Sequence, residues 1–448
     1  MKKQILLVAA LLAASFASFA QEENADPLDL LQQKVSTIES TVNKLSNLKI
    51  TGYMQPQWQF GQQAASLKVG SGNTSENGNT SAFNRFGIRR GRINFTYDDG
   101  GLASGVLEVN LGESANGTST KAVGISTVSI KKAFLNVKDP WFGSCVLRAG
   151  LFDRPFGNEV AYSSSLIESP ERSRVVQNLF PDEQDLGAML ILQPASTSAL
   201  NFIKFQGGLF AGNSLNPETN NRKDFIGQII ASKPIGSTAR WGLGASYYNG
   251  GVYQGTANVY TMSGSGFALD NTASNKSKYA KREYFGFDGQ FSVETPIGMT
   301  QVRAEYMWGT QPGTSSSSSS PNIFTNPSGD TYIRNTSGWY AILVQDLGQS
   351  PFSLVLKYDN YDPNTKVSGD EIGATVGTGL AKTTNADLAY NTVGLGTLWR
   401  ISPALRLQVY YEFVSNEKSA NLASTDRTKD FSRDVLDNSL TVRLQFKF

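Results

Sequence analysis

The stretch ALRLQVYYEF, Ala404 to Phe413, decides the fold. Leu405, Leu407, Val409, Tyr411 and Phe413 fall on one face of an extended chain, and Arg406, Gln408, Tyr410 and Glu412 on the other. MTQVRAEYMW repeats the pattern, with Val302, Ala304, Tyr306 and Trp308 opposing Arg303 and Glu305. In a soluble sandwich the apolar face would meet a second sheet. In a membrane barrel it meets lipid, and the polar face lines water. A basic side chain on the lipid face costs about 2–4 kcal/mol at mid-membrane. Under that reading Arg303, Arg406, Arg240, Lys204, Lys357 and Arg443 point into a lumen.

Sixteen such segments run from Lys49 to the last residue. The first, KITGYMQPQWQF, sets Ile50, Met54, Trp58 and Phe60 against Thr51, Tyr53, Gln55, Gln57 and Gln59. The second, FNRFGIRRGRINFTY, loses its alternation at Arg90–Gly91, where a bulge is expected. The connections alternate without a break. Short turns such as QPASTS, PIGST and TPIG follow long polar stretches near 62–82, 113–126, 152–185, 213–223, 249–282, 310–337, 362–389 and 415–437. Eight long loops at one end and seven short turns at the other are expected of an outer-membrane barrel. The expected fold is therefore all-β, a sixteen-stranded antiparallel transmembrane β-barrel enclosing a water-filled channel. Cys145 falls with Leu147, Ala149 and Leu151 on the lipid face and reads as a hydrophobe.

Lys2 and Lys3, an apolar run from Ile5 to Leu12 and the small residues up to Ala20 read as a secretory signal peptide over 1–20. Removing those two lysines from the 40 basic residues leaves about as many as the 38 acidic ones, and a neutral chain argues against a nucleic-acid partner. The absence of histidine excludes Ser-His-Asp and Cys-His catalysis and histidine metal sites. The expectation is no enzyme, no cofactor and no metal. One cysteine excludes an internal disulfide.

Over 21–48, Leu28, Leu31, Val35, Ile38, Val42 and Leu45 recur at spacings of 3 and 4, a heptad seam after a Pro27 start. A helix this short is marginal alone. It reads as a periplasmic coiled coil of identical chains, dimer or trimer, or else as an amphipathic helix docked on its own domain. At the other end, Leu440, Val442, Leu444, Phe446 and Phe448 alternate. A terminal Phe448 in that setting resembles the signal read by the bacterial outer-membrane assembly machinery, which places the chain in a Gram-negative outer membrane, in contact with its lipid.

The third loop, 152–185, stands apart in composition. Loops such as 310–337, with its run of serines, are bland and solvated, whereas this one mixes Phe, Leu and Val with Arg and Glu. That mixture suggests a loop packed on protein, either folded into the lumen or laid as a lid on the rim. Gly150, Pro155 and Gly157 read as the devices that turn strand into loop.

FNRFGIRRGRINFTYDDGG, VSIKKAFLNVKDP, VLRAGLFDRPFGNEV and SSSLIESPERS together resemble the phosphate-selective porin O and P family. The resemblance is densest from Phe83 to Gly187. It implies a sixteen-stranded homotrimeric porin, with a coiled coil ahead of the barrel in many members and pore arginines and lysines that conduct phosphate. On that footing Arg148, Arg154, Arg172 and Arg174, with Glu168 and Glu171, are candidates for the pore constriction and for anion binding. Arg85, Arg89 and Arg92 are candidates for a basic ladder on the lumen wall, beside Arg90. The alternative for each is structural pairing with Glu159, Glu168, Glu171 or Glu108. The chain departs from an anion filter in its acids, which outnumber the arginines between Arg148 and Asp185. The expected function is passive diffusion of small hydrophilic solutes, with phosphate or other anions as the sharper version. A general or carbohydrate-leaning channel, and a tether from the membrane to the cell wall, are the alternatives.

Overall fold

The computed structural model describes residues 27–70, 82–111, 128–141, 143–218, 220–320 and 329–448. The signal-peptide reading of 1–20 lies outside them. Two units divide at Leu48. The first contains helix α1 (Pro27–Ser46), on which Leu31, Val35, Ile38 and Val42 are all exposed.

Among the described residues the second unit is one nineteen-stranded sheet. Its strands are β1 (Leu48–Gly61), β2 (Phe83–Asp98), β3 (Ala103–Asn110), β4 (Ser129–Lys138), β5 (Cys145–Asp153), β6 (Gln184–Leu192), β7 (Ile203–Phe210), β8 (Asp224–Ile235) and β9 (Ala239–Tyr253). They continue as β10 (Val259–Ser263), β11 (Gly266–Asp270), β12 (Tyr279–Thr295), β13 (Gly298–Gly313), β14 (Thr331–Asp346), β15 (Phe352–Asp362), β16 (Leu380–Lys382), β17 (Tyr390–Arg400), β18 (Leu405–Asn416) and β19 (Ser439–Lys447). Sixteen of them form a closed antiparallel barrel, sealed where β19 pairs with β1. The other three, β10, β11 and β16, belong to long loops. The β10–β11 hairpin adds to β14 in parallel and to β16 antiparallel. Sequence alternation did not separate these short loop strands from solvated loop.

The barrel inverts the polarity of a soluble protein. Leu343, Leu354, Leu356, Leu395 and Val409 are exposed, while Gln55, Gln57, Gln59, Arg303, Lys357, Gln408 and Arg443 are buried on the opposite face of their strands. The inner wall is not uniformly polar: Ile342, Val344, Val355 and Leu398 cluster there with Tyr340 and Tyr410. The sequence reading of a polar lumen face did not identify this patch.

Two irregularities serve the interior. Arg89 and Arg90 both reach the same inner carboxylate although consecutive, so the in–out phase changes between them, one residue before the expected bulge. Between β3 and β4 the register shifts at Glu108 and Val109, leaving Lys131 of β4 as the extra residue. Lys131 and Lys132 thereby both make inward ion pairs.

The serine run 315–320 departs from the bland loop expected. Ser320 is buried, donates its backbone N–H to the Asn178 carbonyl and accepts from Arg282, and Ser319 donates to the Asn178 side chain.

Candidate functional site

The stretch between β5 and β6, residues 154–183, carries the charged cluster. Two glycines with positive φ precede and shape it: Gly150 lies inside β5, paired with Phe134 and Gly187 and not at the strand's exit as the sequence suggested, and Gly157 lies in the segment itself. Gly150 has φ +127°, and a Cβ there would lie 2.2 Å from the Ala133 carbonyl oxygen. Gly157 has φ +58°, and its Cβ would lie 1.5 Å from Glu305 Oε1. The Gly157 N–H donates to Ser246 on β9, and its carbonyl accepts from Gln228 on β8. Glu305 on β13 then accepts from the backbone of Asn158 and Glu159.

An apolar core holds one flank. Phe152, Phe156, Val160 and Phe180, with Val175, Val176 and Leu179 of the short helix α2 (Arg174–Leu179), pack on Phe210, Ile226, Tyr248, Tyr284 and Met307 of the wall. Phe156 and Phe180 lie 4.8 Å apart between ring centroids. Burial of this aromatic surface is the main non-polar anchor of the segment.

Acids hold the other flank. Glu171 accepts from Arg89 at 2.7 and 2.9 Å, from Arg90 at 2.8 Å and from Arg443 at 3.0 Å. Glu168 pairs with Arg303 and accepts from Tyr162. Glu159 pairs with Lys357 at 2.9 Å and accepts from Ser173. Glu183 pairs with Arg172 at 2.6 Å and Lys131 at 3.0 Å. Carbonyls of Ser164, Ser165, Ile167 and Glu168 accept from Gln55, Gln445, Arg406 and Gln408. The contacts reach β1, β2, β4, β8, β9, β13, β15, β18 and β19, strands on all sides of the ring.

Burial alone would raise the Glu171 carboxyl, but Arg89, Arg90 and Arg443 outweigh it and hold the group well below the usual carboxylate range. Glu183 is held low in the same way, against burial, by Arg172 and Lys131. Glu159 is held low, against burial, by Lys357 and Ser173.

The candidates from the sequence occupy different surroundings. Arg154 is enclosed, donating to the carbonyls of Glu183 and Pro181 with Phe180 5.0 Å below its guanidinium. Arg172 is enclosed too, donating to the carbonyls of Glu159 and Tyr162 and to Ser164. Arg148 donates to Asn136 on β4 and stacks 4.5 Å from the Phe134 ring. Arg92 meets Glu108 at 3.5 Å and Asn110. Arg85 donates to the Asn84 carbonyl and lies against Gly70. Arg174 differs: its guanidinium lies 4.2 Å over the Tyr390 ring, and its buried Nε has no hydrogen-bond partner among the described residues. Glu168, Glu171, Arg89, Arg172 and Arg174 are thus brought to one segment and the wall beside it.

Sequence reasoning missed Lys131, Lys68, Asp359 and Asp437. For Lys131 a signal existed: two adjacent lysines inside an alternating strand force either a lipid-facing charge or a bulge.

Residues 53–315 match the family described as phosphate-selective porin O and P. No curated protein is matched by the sequence. The fold is similar to the outer membrane channel DcaP of Acinetobacter baumannii, at 10% identity and TM-score 0.51 over 90% of this chain and 97% of that one. It is similar also to Pseudomonas putida OprB, at 9% identity and TM-score 0.53 over 93% and 97%. The family match spans more than half of the sequence and takes in most of β1, strands β2 to β13 and the charged segment 154–183. The chain belongs to the phosphate-selective porin O and P family, and is a porin of the Gram-negative outer membrane through which small solutes diffuse passively.

Proposed function

We propose that residues 154–183 form the constriction, and that the channel passes small hydrophilic solutes with weak charge preference rather than filtering phosphate. One observation carries this reading. Glu159, Glu168, Glu171 and Glu183 of the segment engage wall cations, and most arginines nominated for anion capture are engaged by those carboxylates or by backbone carbonyls. A phosphate filter needs converging donors with open valences and few competing carboxylates. The driving force is the solute gradient alone.

A residual anion preference has its own support in Arg148, a lumen-wall arginine that among the described residues forms no ion pair. Reversal potential in a KCl gradient, followed by phosphate titration of the chloride current, tests the two readings. Weak selectivity without block supports the general channel. Strong anion selectivity with block at low phosphate overturns it.

The channel works as a homotrimer in this proposal. Strands β3 to β7 are 8 to 10 residues long, against 15 to 17 for β9, β12, β13 and β14. A tilted strand of that shorter length spans roughly 20 Å, less than an apolar band about 25 Å tall. Leu135, Leu147, Leu190 and Leu209 are exposed on this low wall, which suits burial against a second copy. The seam of α1 would supply a parallel coiled coil on the periplasmic side, and Phe448 the handle for the assembly machinery. The chain has no catalytic role here. The tether reading predicts trimers without conductance, which the same bilayer experiment detects.

A further inference from the structure

Beside α2 lies a cavity of about 480 Å³, between the inner segment, the loop after β1, the loop before β19 and the wall. It is lined by charges of both signs that do not close on each other. Lys68, Arg174, Asp359, Glu412 and Asp437 all face it. Among the described residues none of the five forms an ion pair within 4.0 Å, although Glu171 and Arg172, at the same cavity, are fully engaged. Arg174 Nε and Asp437 Oδ1 are buried and have no hydrogen-bond partner among the described residues. Asp359 accepts a long bond from the Arg174 backbone, and Glu412 accepts from Ser439.

We infer that this cavity is a binding site for small zwitterions, such as amino acids or short peptides, on their way to the constriction. The inference rests on the porin reading and names a solute class for it. Polar atoms buried without partners are costly, and a ligand that supplies both signs satisfies them together. A phosphate dianion would meet Lys68 and Arg174 but also three carboxyls. An alkylammonium would meet the carboxyls but also two cations. A neutral sugar would leave both sets uncompensated. The volume lies within the roughly 300–1,000 Å³ usual for small-molecule sites. The Tyr390 ring, with the Arg174 guanidinium stacked on it, supplies one flat wall.

The test is block of single-channel current by glycylglycine, propionate, propylammonium and inorganic phosphate, in KCl of about 0.1 M so that screening does not erase the contrast. Glycylglycine should block the unmodified protein at a concentration about tenfold lower than any of the other three. Asp437→Asn should weaken the glycylglycine block while propionate block holds or strengthens. Lys68→Met should weaken both. Equal block by glycylglycine and propionate in the unmodified protein overturns the inference, as does a parallel loss of both in Asp437→Asn. The ranking in the unmodified protein stands even if a variant fails to fold. A protein that conducts without this ranking defeats the zwitterion site alone, whereas a folded protein that never conducts defeats the porin reading beneath it.

Discussion

Glu171 of the inner segment and Arg443 of the last strand, 272 positions apart, meet at 3.0 Å inside the barrel. Arg443 also donates to the Pro170 carbonyl and to Gln57 of the first strand. The strand that closes the ring therefore also fastens the segment that crosses it. With Arg89 and Arg90, three guanidinium groups converge on one carboxylate.

Removing that carboxylate leaves two buried guanidinium groups, Arg90 and Arg443, and the half-buried Arg89 facing each other. Glu171→Gln should cost about 3–5 kcal/mol of segment docking, the usual price of an uncompensated buried charge. Limited proteolysis should then cut within 154–183, and the reversal potential should move toward anion selectivity. A variant with unchanged selectivity and protease resistance would show that Glu171 does not balance the wall.

The low Glu171 and Glu183 carboxyls set a pH dependence. Their folded values lie below the unfolded value of about 4.3, so their stabilisation is fully present above it and is lost only as pH falls through the folded values. Proteolytic protection of 154–183 should stay constant from neutral pH down to about 5 and fail only in stronger acid. Loss of protection between pH 7 and 5 would contradict the assignment.

Asp437 behaves oppositely. Burial, helped by Asp434, pushes its carboxyl up to about 6 against the pull of Arg174. It should therefore lose its charge as pH falls from about 7 to 5, while Glu171 keeps its own. Selectivity should drift toward anions over that interval, and Asp437→Asn should abolish the drift. A drift that persists in the variant would assign it to another group.

Gly157 tests the geometry rather than the charge. Any side chain there meets Glu305 and must hold φ +58°. Gly157→Ala should cost about 1–3 kcal/mol and displace the backbone bonds to Ser246, Gln228 and Glu305. An altered single-channel conductance with a lowered melting temperature is expected. Unchanged values of both would mean that the bend tolerates a Cβ.

Much of this was legible in the sequence, and the boundary is physical. Alternation along Leu405–Asn416 and Gly298–Gly313 fixes which side chains face lipid, because a charge on that side is costly. Loop-length asymmetry fixes the strand count. The composition of 152–185 marks a packed loop. Pairing choices were not legible: Arg89 and Arg172 look alike as sequence, yet one reaches from the wall and the other closes the segment on itself. Those contacts span tens to hundreds of residues and depend on register, which a bulge at Lys131 or Arg89–Arg90 changes locally. The acids that argue against an anion filter are the groups that fasten residues 154–183 to the wall.

The most direct test of that claim compares Arg154→Ala with Arg174→Ala by reversal potential in a KCl gradient, with phosphate added to each. Arg154 binds carbonyls inside the segment, and Arg174 faces the open cavity. Weak selectivity and no phosphate block are expected in the unmodified protein. Arg154→Ala should change conductance by loosening the segment, and Arg174→Ala should shift selectivity toward cations. Strong phosphate block that Arg154→Ala relieves would contradict the claim, because Arg154 would then be a filter group and not a fastener.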